Sequence, residues 1–181
     1  NQLFVVSMDD GKIHRIDMST GSVLQSHDPF TPDSSAPGEV APLAERILAV
    51  AYNEAENRVY YSVWANDAAN TGIPNTIRSV ELDAAGNMLT ATDSLEITLP
   101  GLNPGGFSMP LSDMEFNAGG NVLIVGETGF HSTNMMNMHH QARMLRFNGG
   151  TGAWTQDAAL PPGNTSLGRL CRPPLLMARA P

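Results

Sequence analysis

Two short landmarks recur along the chain at nearly one interval. Ile13-His14-Arg15-Ile16-Asp17-Met18-Ser19-Thr20-Gly21 reads as a strand running into a tight turn. Ile77-Arg78-Ser79-Val80-Glu81-Leu82-Asp83-Ala84-Ala85-Gly86 has the same form, and so does Met144-Leu145-Arg146-Phe147-Asn148-Gly149-Gly150-Thr151-Gly152. The closing glycines lie 65 and then 66 positions apart. The second landmark is an aromatic residue, an Asn, a three-residue spacer and another Asn. It begins at Tyr52 and again at Phe116, 64 positions later, and a strand-like run follows each time. A fixed period of this kind marks tandem supersecondary units, each too small to bury its own apolar face.

Each unit reads as about four strands. In the second unit the runs are 47–52, 59–63, 76–82 and 88–99; in the third they are 111–116, 122–126, 142–147 and 153–157. The first unit offers Leu3-Phe4-Val5-Val6-Ser7, then an Asp-Gly hairpin signal at Asp10-Gly11, then residues 12–18 and 22–25. Its innermost strand is missing, so the chain reads as a fragment that starts inside a unit. Four-stranded units in tandem predict an all-β chain of consecutive antiparallel meanders, about three blades of a β-propeller with its ring incomplete. Residues 1–30 form the partial first blade, 46–100 the second and 110–160 the third. The long connections 30–45, 66–75 and 130–141 account for a period above the roughly 40–50 residues of common blades. The core is expected at Val5, Ile16, Val50, Tyr60, Val80, Leu82, Phe116, Leu123, Val125, Leu145 and Phe147.

Composition narrows the partners. Acidic side chains number 18 against 10 basic, a net charge of −8, which disfavours nucleic acid and anionic membranes. The longest apolar run in the body, 47–52, is far below the roughly 20 residues of a membrane helix, so no membrane insertion is expected. Cys171 is the single cysteine, which excludes an internal disulfide. Residues 1–166 carry the repeat. The tail 167–181 loses the pattern, holds Arg169, Arg172 and Arg179 with no acid from 169 onward, and reads as a linker or artefactual terminus.

The first unit resembles the YVTN type of propeller repeat, chiefly in Ile16-Asp17-Met18-Ser19-Thr20-Gly21-Ser22-Val23, a portion that quinoprotein-like propellers share. The third unit, through Ser112-Asp113-Met114-Glu115-Phe116 and Gly126-Glu127, is similar to blades in large bacterial cell-surface proteins. The resemblance implies an extracellular or cell-surface location, or a periplasmic one. It also implies a non-enzymatic binding or scaffolding propeller, with a protein or glycan partner. The missing blades would come from the rest of a longer chain or from copies assembled into a ring.

Candidate chemistry is sparse. Asp113 and Glu115 stand two apart on a presumed innermost strand and so share a side. Paired carboxylates suit calcium, as in propeller lactonases, which gives a calcium-dependent hydrolase as the alternative function. The positions 64 earlier are Ala49 and Ala51, so the acids do not recur from unit to unit. The 130–141 segment gathers His131, Met135 and His139 among other Met and His residues, a soft-ligand set that suits copper. A quinoprotein-type oxidoreductase is disfavoured because Trp64 and Trp154 occupy non-equivalent places. No cofactor other than calcium is expected of the alternative.

Overall fold

The computed structural model describes residues 2–30, 40–66, 72–101, 109–129 and 142–157. Three antiparallel meanders follow one another. The first sheet comprises β1 (Gln2–Val6), β2 (Ile13–Asp17) and β3 (Val23–His27). The second comprises β4 (Arg46–Asn53), β5 (Arg58–Trp64), β6 (Thr76–Glu81) and β7 (Ser94–Thr98). The third comprises β8 (Leu111–Phe116), β9 (Val122–Glu127), β10 (Arg143–Asn148) and β11 (Thr155–Gln156). The one helical element among the described residues is a single 3₁₀ turn, Thr90–Thr92. No helix among them is long and apolar enough to cross a membrane. The all-β expectation and the order of strands within each unit are borne out.

Side chains of Asp and Asn shape the tight turns. Asp17 Oδ1 accepts from Ser19 N at 2.7 Å, Asp83 Oδ1 from Ala85 N at 2.8 Å, and Asn53 Oδ1 from Ala55 N at 3.2 Å. Each is an Asx turn, in which a short side chain closes the chain on itself. The β8–β9 turn ends on Gly120 at φ +69°, where an added Cβ would collide with the Asn53 side-chain oxygen. Conformation and close approach both require glycine there.

The core is explained by the alternation of β5, all of whose residues are buried. Val59, Tyr61 and Val63 point to one side and pack with Ile47, Val80, Leu82 and Ile13 of the first sheet. Tyr60 points to the other side, with Ala49, Ile77 and Ile97, and packs on Leu123, Val125, Leu145 and Phe147 of the third sheet. The second sheet is therefore covered on both faces. Burial of each large apolar side chain contributes about 1.5–3 kcal/mol. Of the expected core, Tyr60, Val80, Leu82, Leu123, Val125, Leu145 and Phe147 are buried, while Val5, Ile16, Val50 and Phe116 are half-buried.

Two strand boundaries differ from the sequence reading. The fourth strand of the second unit begins at Ser94 rather than 88, and Met88 makes an isolated bridge to Leu82. Thr92 is the reason: its hydroxyl accepts from Glu81 N at 2.9 Å and donates to Leu89 O at 2.7 Å, replacing the ladder with a turn. The last strand shortens to Thr155–Gln156 because Ala153 N bonds Gly150 O across the preceding turn. The 130–141 segment and the tail 167–181 lie outside the described residues.

Candidate functional site

Asp113 and Glu115 lie on β8, paired with Gly126 and Ile124 of β9. Both are exposed, on the face of the third sheet turned away from the second. Asp113 Oδ1 accepts from the backbone N–H of Met114 at 2.9 Å. Among the described residues no cluster of three or more His, Cys, Asp or Glu could hold a metal ion. Glu115 lines a cleft of about 340 Å³ between the ends of β4 and β8, which Glu54 and Asn117 also line. His131, Met135 and His139 lie outside the described residues.

The densest polar constellation is one the sequence reading missed. Asp93 Oδ2 meets His27 Nε2 at 2.8 Å and accepts from the Tyr61 hydroxyl. Asp93 Oδ1 accepts from Arg78 Nε at 2.8 Å and lies 2.7 Å from its terminal nitrogen. The four groups come from β3, β5, β6 and the residue before β7. Burial works against the Asp93 charge, but the hydrogen bonds from His27, Tyr61 and Arg78 outweigh it and hold its pKa below the usual carboxylate range. The Tyr61 hydroxyl is pushed well above its ordinary value, first by burial and then by the Asp93 charge. Such a hub fixes the first sheet to the second. No spacing motif could have found it, because Asp93 lies 66 positions from His27 and 32 from Tyr61.

A second hub joins the second and third sheets. Glu56 Oε1 accepts from Thr151 N at 2.8 Å, and Glu56 Oε2 accepts from the Tyr60 hydroxyl at 2.6 Å and from Asn53 Nδ2 at 3.0 Å. Glu96 Oε2 accepts from Gly152 N at 2.6 Å. Burial opposes the Glu56 charge, and the bonds from Tyr60 and Thr151 win, lowering its pKa.

A third group pairs His14 with a carboxylate and a hydroxyl. His14 Nε2 is 2.9 Å from Asp10 Oδ2, and His14 Nδ1 is 2.9 Å from Ser26 Oγ. These are the residue types of a nucleophile, its base and an orienting acid. The group lies on the open face of the first sheet. A cleft of about 800 Å³, lined by Gln2, Arg15, Asp17, Tyr52, Asn57 and Asp83, opens at the other end of the strands.

Compared with known proteins, the chain matches no family model and no curated protein.

Proposed function

We propose that the chain is a section of a β-propeller, of the kind its first unit resembles, which serves as a non-enzymatic binding or scaffolding module on the bacterial cell surface or in secreted form. One observation carries this reading. The sheets stack face to face, with the ends of β4 and β8 side by side, and most of the long connections leave one end. The short turns 18–22, 54–57, 117–121 and 149–154 gather at one end, together with one longer connection, 82–93. The connections 28–45, 65–75, 99–110 and 128–142 leave the opposite end, where 7–12 is a short turn. Long loops on a rigid scaffold are where binding surfaces arise.

The charged side chains support the same reading. Asp93, Glu56, Glu96 and Arg15 are engaged across sheet junctions. Glu127 is buried beside Arg143, which also reaches the carbonyls of Pro100 and Gly101. These groups hold the scaffold together.

The test is to pan the chain on peptide and glycan arrays, then replace 67–73 and 130–141 with short Gly-Ser linkers, which keeps the buried Asn66 and Asn75. Loss of the captured ligands with an unchanged melting temperature is expected. Full retention of binding would overturn the loop-surface reading. Calorimetric titration with calcium separates the hydrolase alternative: stoichiometric binding, lost in Asp113→Asn/Glu115→Gln, would favour it.

A further inference from the structure

The first and third sheets each have one covered face and one open face, and the open faces carry apolar residues at several positions that are covered elsewhere, while Asp113 and Glu115 stand where the second sheet has Ala49 and Ala51. Register places Ile124 of β9 where β5 has Tyr60, because Phe116 pairs with Leu123 as Tyr52 pairs with Val59. Met144 pairs with Gly126 as Ile77 pairs with Ser62. Tyr60 and Ile77 are 0% exposed beneath the third sheet, whereas Ile124 is 44% and Met144 42% exposed.

The mirror case holds at the other end. Leu3 pairs with Ile16 as Val59 pairs with Val80. Val59 and Val80 are 0% exposed beneath the first sheet, whereas Leu3 is 47% exposed and Ile16 half-buried. Val23, opposite Ile16, is 57% exposed. Exposed apolar side chains at positions that another sheet covers elsewhere mark an interaction face.

Charge identifies what covers these faces. At the junction of the first two sheets, Arg15 donates to Ala85 O at 2.7 Å and to Asn87 Oδ1 at 2.6 Å, gripping the Asx turn of the next sheet. The same arginine lowers the pKa of Asp83 in that turn, after the larger effect of hydrogen bonds from Asn87. Counting from the strand positions above, Arg146 on the open face of the third sheet stands where Arg15 stands in the first. Its Nε is 3.6 Å from Asp157 Oδ2, beyond hydrogen-bond range. The matching Asx turn, Asp17 with Ser19, is exposed at the edge of the first sheet. One chain thus carries both the arginine and an Asx turn, with Ser22 after the closing glycine where the second sheet has Asn87.

We infer that this surface takes a second copy of the chain, head to tail: the third sheet of one copy stacks on the first sheet of the next, and Arg146 grips the Asp17–Gly21 turn. The inference rests on the stacked-sheet reading above. A heterologous contact of this type closes into a ring or continues as a filament, according to its rotation.

Sedimentation velocity tests it. The chain alone should sediment as species larger than 19.3 kDa. Ile124→Lys and Leu3→Lys, both at exposed positions, should each block chain growth. A mixture of the two should form a one-to-one pair and nothing longer, because each variant keeps one competent face. Arg146→Glu should weaken assembly, and Asp17→Arg in the same chain should restore it. A wild-type monomer at every concentration, or assembly indifferent to Ile124→Lys and to the charge exchange, would overturn the inference. Hydrogen exchange at β5 separates the two claims. Protected β5 amides in a monomer sink self-association alone, while unprotected ones sink the stacked-sheet reading as well.

Discussion

Replacing Asp93 with Ala should cost more stability than any single hydrogen bond accounts for. The carboxylate accepts from three side chains, two of them on strands of the second sheet and one on the first. Tyr61 is fully buried, and the Asp93 side chain is 11% exposed. Hydrogen bonds to a charged group are worth about 1.5–3 kcal/mol each, but the three share one acceptor and do not add. Removing one partner of a largely buried ion pair costs about 3–5 kcal/mol, because the other charge stays behind unpaired. The expected loss is therefore about 3–5 kcal/mol, and Tyr61→Phe, which deletes one donor, should cost about 1–2 kcal/mol. Urea unfolding with an unchanged slope would measure both. The pH dependence follows from the lowered Asp93 pKa. A carboxylate depressed in the folded state stabilises fully above its unfolded value, about 3.9, and that stabilisation disappears as pH falls through the lower folded value. Wild type should therefore lose stability below about pH 4 more steeply than Asp93→Asn does. A loss under about 1 kcal/mol for Asp93→Ala, within the range of a single neutral hydrogen bond, would refute the idea that this hub joins the sheets.

Other substitutions probe separate parts of the scaffold. Arg143→Met should cost about 3–5 kcal/mol at neutral pH by leaving Glu127 buried and unpaired. Burial already holds the Glu127 pKa above its ordinary value despite Arg143, so the carboxyl takes up a proton as pH falls. The Arg143→Met loss should accordingly shrink in acid, which denaturant melts at two pH values would detect. Gly120→Ala combines a left-handed backbone with a collision against Asn53 and should cost about 1–3 kcal/mol in a thermal melt. Leu123→Ala should cost about 2–5 kcal/mol by opening a cavity between the second and third sheets, as read from its urea midpoint.

Strand order was legible because it is written locally. Asp10-Gly11, Asp17 with Gly21, and Asp83 with Gly86 punctuate the chain, and period-two alternation fills the intervals. The phase of the core was legible for the same reason: Leu123, Val125, Leu145 and Phe147 all face inward as the alternation requires. The start of β7 was not, because it turns on one hydroxyl, that of Thr92, which could equally have served a strand. The Asp93 and Glu56 hubs were invisible for a different reason. Their partners lie up to 66 and 95 positions away, and only the stacking of sheets brings them together. Asp113 and Glu115 were legible as a pair sharing a side, and the structure adds which side: the open face, where Glu115 pairs with Ile124 rather than with another acid.

The same stacking explains the charge content of the chain. Only 15% of residues are charged, against about 25% in an ordinary domain. A sheet covered on both faces has little surface for solvated charge, and β5 shows the limit: its single ionic residue, Arg58, is buried. That arginine donates to the hydroxyls of Ser79 and Ser94 and to Thr92 O, within its own sheet. Charge is retained where two sheets meet at their ends, and there each carboxylate receives several N–H or O–H donors. Part of the cost of desolvating Asp93 or Glu56 is met by donors from the neighbouring sheet, His27 for Asp93 and Thr151 for Glu56. Each polar hub therefore acts as a register check between sheets, because a slip of one strand position would leave a half-buried carboxylate short of the donor that the neighbouring sheet supplies.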